Sequence, residues 1–214
     1  MQSMRVSIVL ALLLAAPLRA EIVDRIVAVV NGKVITWSGV LEEANYRAFR
    51  NGQEPVAVLD GEALKTVVSH LADQELLENE KISSPFSALE DDRPQRIVEE
   101  TRKRFPDPGD FEKELRRFQL TESEFLRRLN QESAILAFID YHLRPQAHVG
   151  PGAVETYYRE ILLPELRQQG ASSTPALQQV SSEIERILTE QEMNRLLDEW
   201  LRELRGRAKI RILQ

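Results

Sequence analysis

Apolar residues recur along this chain with two different periods, and the two ends differ from everything between them. From Ile22 to Val30 the run Ile-Val-Asp-Arg-Ile-Val-Ala-Val-Val is dominated by β-branched residues and predicts a strand. Asn31-Gly32 then suits the two positive-φ positions of a type I′ turn, and Lys33-Val-Ile-Thr36 predicts a short return strand. A lone hairpin is marginal in water and wants a third strand. The candidate lies at the far end, where Ala208-Lys-Ile-Arg-Ile-Leu213 alternates apolar and basic residues after Gly206, a residue suited to capping the preceding helix. The two ends are therefore expected to pair in one small sheet, which rules out two sequential, independent domains.

Between the ends the period is helical. Thr36 or Ser38 caps a helix to about Arg50, which Asn51-Gly52 stops. Asp60 caps a longer one to about Lys81, in which Leu64, Val67, Val68, Leu71, Ala72 and Leu76 share a face. Ser83-Ser-Pro85 is a break. Pro94 suits the first turn of a charged helix ending before Pro106, and Asp110 caps a short helix to about Phe118. Thr121-x-x-Glu124 is a capping box that opens a helix to about Leu143. It carries two apolar stripes, Phe125/Leu129/Leu136/Ile139/Leu143 and Leu126/Ile135/Phe138, which predicts a central helix wrapped by its neighbours. A helix from Ala153 to about Leu162, a link around Gly170–Pro175 and a last helix to Arg205 follow. The apolar stripe of that last helix slips phase near Thr189, where Thr189-x-x-Glu192 reads as a second cap or as a solvent face. The fold class is thus expected to be mainly α, with a small antiparallel sheet made by the N-terminal hairpin and the C-terminal strand.

Composition narrows the functions. With 43% hydrophobic and 29% charged residues in 214, the chain can build a core and is not a membrane bundle. A net charge of −6 argues against non-specific nucleic-acid binding, which needs a basic face. Cysteine is absent, so disulfides and thiolate chemistry are excluded. His70, His142 and His148 have no partners at ligand spacing, and no phosphate loop or nucleophile elbow occurs. No catalytic residue, metal or cofactor is therefore expected. Met1–Ala20, with Arg5 ahead of the apolar run Val6–Ala16, reads as a cleavable signal segment too short to span a bilayer. Export to a periplasm, without stable membrane insertion, is the expectation.

Phe86, Phe105, Phe111, Phe118 and Phe125 lie in short, poorly hydrophobic segments. They are either satellite core residues pinning short helices or the lining of an exposed apolar groove.

The stretch Ile22–Thr36 resembles the opening of the SurA-type periplasmic chaperones. Phe138-Ile-Asp-Tyr-His-Leu-Arg-Pro145 with Tyr157-Tyr158 is similar to the end of their N-terminal domain, and Trp200–Arg205 followed by Ala208–Leu213 to their closing helix and strand. Isomerase members of the family carry one or two parvulin domains ahead of the closing helix. Here Leu166 to Leu177 is a short Gln/Gly/Ser link, whereas a folded domain needs about 50 residues. The resemblance implies a signal segment at 1–20 and a single chaperone domain at 21–214. That domain has a core at 21–165, the link at 166–175 and a closing helix and strand at 176–214. It also implies an ATP-independent holdase for unfolded exported polypeptides, outer-membrane proteins foremost, and not an enzyme. The alternatives are a peptidyl-prolyl isomerase family member with residual activity and a dedicated assembly subunit with one partner. Short charged helices carrying isolated aromatics tend to be mobile, so Phe86, Phe105, Phe111 and Phe118 are the expected client-contacting set. Phe105 and Phe111 stand foremost, because a Pro/Gly turn lies between them.

Overall fold

The computed structural model describes residues 24–87, 91–170 and 173–213. The expected signal segment and the start of the predicted first strand lie outside the described residues. Strands β1 (Ile26–Val30) and β2 (Lys33–Thr36) form the hairpin, turning at Asn31 and Gly32 with φ of 48° and 92°. Strand β3 (Ile210–Ile212) lies antiparallel on the other side of β1, giving the order β2-β1-β3. The ends of the chain do close one sheet, and Asn31 serves both the turn and the closure. Its N–H donates to Lys209 O at 3.0 Å, and its Oδ1 accepts from Lys209 N at 2.9 Å.

The caps set the helices much as the sequence predicts. Helix α1 (Trp37–Arg50) starts where Gly39 N donates to Thr36 Oγ1, and α2 (Gly61–Ser83) where Ala63 N donates to Asp60 Oδ1. Helix α3 spans Arg93–Arg102, with Pro94 in its first turn. Helix α4 (Pro108–Arg117) begins earlier than expected. Asp107 is its N-cap, since Pro108 has a φ already set for a first turn, and Asp110 falls inside that turn and pairs with Lys113. Helix α5 (Glu122–Leu143) opens on the capping box, with Thr121 N donating to Glu124 Oε2 at 2.8 Å.

A 3-10 turn (Arg144–Gln146) leads to α6 (Ala153–Tyr157), a π-helical segment (Tyr158–Leu162) and α7 (Leu163–Gln168). The widened segment lies just ahead of Pro164, which has no N–H to give the preceding turn. Helix α8 (Leu177–Arg207) is continuous. Thr189 bonds back to Glu185 O and is not a second cap. Gly206 stays helical, so the strand approach begins at Ala208.

Two cores form. The first lies under the sheet, where Val27, Ala28, Val30 and Ile35 meet Val40, Val68, Leu76, Phe138, Trp200 and Leu204. Trp200, 8% exposed, packs inside as its stripe predicts, 5.7 Å from the Phe138 ring and stacked on His142 at 4.2 Å. The second core gathers Tyr46, Val98, Phe111, Leu115, Phe118, Phe125 and Leu129. Helix α5 serves both, with Phe125 and Leu129 in one core and Phe138 and Leu143 in the other.

Candidate functional site

The expected aromatic set does not form a surface. Phe111 and Phe118 are 0% and 3% exposed, inside the second core, so neither ring is free to meet a client. The reason is that α3 and α4 do not stand alone. They close over the end of α1 and the start of α5, where Phe49 stacks edge-on against Phe118 at 5.3 Å and against Phe125 at 5.1 Å. Phe105 is half-buried against Phe111, and Phe86 is half-buried on the other core, 5.5 Å from Phe138 and 5.4 Å from Tyr141. The four rings thus divide between two cores, Phe111 and Phe118 buried and Phe86 and Phe105 half-buried.

An open groove of about 780 Å³ runs instead between β2, α1, α2, α5 and α8. Leu71, Ile135, Leu136, Ile139, Leu197 and Leu201 supply its apolar wall. Leu136 sits on a stripe predicted to be core, yet it is 57% exposed, because α5 turns that position towards the opening. Val34 of β2, 44% exposed, contributes from the sheet side.

The opposite wall is ionic, and most of its charges are paired within the protein; Lys33 and Arg47, both exposed, line it without an ion pair among the described residues. Glu43 of α1 is 2% exposed; Arg128 Nη1 of α5 donates to its Oε2 at 2.7 Å, and His70 Nε2 of α2 lies 3.4 Å from its Oε1. Burial pushes the Glu43 carboxyl up, but the adjoining His70 and the charges of Arg128 and Arg47 more than offset this, holding it below its ordinary value. Nearby, Tyr46 Oη donates to Glu132 Oε2 at 2.8 Å, and Arg50 Nη1 reaches the same carboxylate at 2.6 Å. Burial, reinforced by Glu132, raises the Tyr46 hydroxyl well above its ordinary range. Asp73 is held by Arg205 Nε at 2.6 Å.

With Arg50 and Arg128 so engaged and Glu43, Asp73, Glu75, Glu78 and Glu132 on the same lining, the groove is better suited to a partly apolar chain than to phosphate. Among the described residues no group of three or more His, Asp or Glu side chains is placed to hold a metal. No described helix is long and apolar enough to cross a membrane. Sequence reasoning missed this site because Glu43 and Arg128 are 85 positions apart and meet only through helix packing. Compared with known protein families and with curated proteins, the chain shows no match.

Proposed function

We propose that the chain is an ATP-independent holdase of the SurA type, acting in the periplasm on unfolded exported polypeptides, outer-membrane β-barrel precursors foremost. The observation that carries this reading is the groove. It is open, has an apolar wall along one side, and pairs most of its charges internally, so its attraction is for exposed apolar side chains on an extended chain. The closure of the sheet by both ends of the chain supports the resemblance on which the family reading rests. The periplasmic location rests on the sequence of Met1–Ala20. Isomerase activity is left out of the proposal because residues 166–175 leave no length for a parvulin domain.

Light scattering of a denatured outer-membrane β-barrel protein, diluted from urea with and without this protein, tests the reading. Suppressed aggregation near stoichiometric amounts is expected; unchanged aggregation at molar excess overturns it. A protease-coupled proline-peptide assay addresses the isomerase alternative, and acceleration at catalytic concentrations would restore it.

A further inference from the structure

Strand β2 forms part of the groove wall along its whole length, from Lys33 to Thr36, and among the described residues has a strand neighbour on one side only. The register shows which of its main-chain groups are free. Asn31 N bonds Lys209 O, and Leu213 N bonds Val27 O at 2.8 Å, so the odd-numbered residues of β1 face β3. The even-numbered residues then face β2, which makes Ala28↔Ile35 and Val30↔Lys33 the hydrogen-bonded pairs and Val29↔Val34 the unbonded one. The N–H and C=O of Val34 consequently point away from β1. Among the described residues, no hydrogen bond outside the ladder reaches them.

Free edges invite pairing, and proteins usually blunt them with charge, bulges or cover. Here the free edge is flanked by α1 and α2 and shares its groove with an apolar wall. A strand added to an edge gains main-chain hydrogen bonds and sends alternate side chains to opposite faces. One face of such a strand would meet Leu71, Ile135, Leu136 and Ile139, and the other would meet water.

We propose that the groove captures its client by strand addition to the Val34 edge of β2, and that the occupant is an extended, uncharged segment with an apolar side chain at every second residue. Internal pairing of Glu43, Arg50, Asp73, Arg128 and Glu132 answers most of the lining's charge, and Lys33 and Arg47 share that lining with Glu75 and Glu78, so neither sign of charge is favoured in the occupant. The period of two follows from the geometry of the added strand. The outer edge of β3 offers the same backbone chemistry, but β3 is not among the groove residues, so it lacks the side-chain wall that would make pairing selective. This inference rests on the holdase reading and names how that site takes hold.

The test uses the full protein and a fluorescent synthetic peptide about eleven residues long, alternating Val or Phe with Thr or Ser. Val34→Pro removes an N–H that the ladder does not use, while Ile212→Pro does the same on the outer edge of β3. In anisotropy titrations Val34→Pro is expected to weaken binding about tenfold or more, and Ile212→Pro to leave it unchanged. A peptide N-methylated at alternate amides, in the register that faces Val34, should lose binding to the unaltered protein by a similar factor. If Val34→Pro fails to fold by circular dichroism, the N-methylated peptide decides alone. Equal binding of native and N-methylated peptides overturns strand addition, as does equal loss in both proline variants. If the unaltered protein still suppresses aggregation in that case, the holdase reading stands without this mode of capture. If it neither binds the peptide nor suppresses aggregation, both readings fall.

Discussion

Glu43 is a carboxylate placed where a carboxylate is expensive, and three helices share the work of keeping it charged. Arg128 comes from α5, His70 from α2, and Glu43 itself from α1, so one residue ties together the floor of the groove. Removing one partner of a buried pair strands the other. Glu43→Gln is expected to cost about 2–4 kcal/mol in urea unfolding, less than a fully stranded charge because Glu42 still reaches Arg128 at 3.2 Å. The folded-state pKa of Glu43 lies below its reference of 4.5, so its contribution is fully present above that value and is lost as pH falls through the lower, folded one. The unaltered protein should therefore lose stability on going from about pH 5 to about pH 3, and Glu43→Gln should show a shallower loss over the same window. A parallel slope in the variant would place the acid sensitivity elsewhere. Trp200 makes the opposite case, a residue whose setting could be read in advance. It sits one turn from Leu197 and Leu204 on a helical stripe, and its burial against Phe138 and His142 follows. Trp200→Ala should cost about 3–5 kcal/mol, measured as the shift in unfolding free energy; a loss under about 1 kcal/mol would mean the ring is not a core anchor.

At the scale of elements, legibility followed locality. Caps and turns were readable because each is made by residues three or four apart: Thr36 with Gly39, Asp60 with Ala63, Thr121 with Glu124. The β3–β1 pairing was readable for a different reason, since a hairpin short of a strand had one convincing candidate to recruit. The two stripes of α5 announced a central helix, but they did not divide between the two cores as stripes. The division runs along the helix, the N-terminal half entering the second core and the C-terminal half the first, and which neighbour meets which half depends on crossing angles that no local pattern encodes. For the same reason α3 and α4, poor in apolar residues, looked unable to bury their phenylalanines. Phe49 and Phe125, from helices on either side, complete that core. Removing residues 208–214 tests the closure. Loss of β3 leaves β1 with a single neighbour and uncovers the first core near Ile210, so the whole thermal transition should move down, by more than about 2 kcal/mol, as one cooperative step. A melt in which only a minor phase disappears would show the strand to be an accessory.

For the whole molecule, the proposed holdase activity has two candidate client surfaces, and they are separable. The groove is illegible in the sequence because it is a space between elements: β2, α1, α2, α5 and α8 each contribute a wall, and the helical spacing of Leu136 reads as core. The aromatic region was legible as composition but misleading as surface. Around both, the helix faces are laced with ion pairs such as Arg186 with Glu183 and Glu190, a surface that would keep the proposed client complex hydrated. Leu136 is more than half exposed, so Leu136→Asp should change stability by no more than about 0.5 kcal/mol while placing a charge on the apolar wall. Phe86 and Phe105, the two half-buried rings of the aromatic set, supply the comparison as a double Ser variant, checked by circular dichroism for an intact fold. In the light-scattering assay Leu136→Asp is expected to lose most of its suppression, and the double Ser variant to keep it once corrected for the folded fraction. The reverse outcome would return the client to the aromatic surface. Pull-down from envelope extract then reads the breadth of binding: many weak clients that depend on Leu136 match a holdase. One tight, stoichiometric partner, insensitive to Leu136→Asp, would instead mark a dedicated assembly subunit that docks through another face.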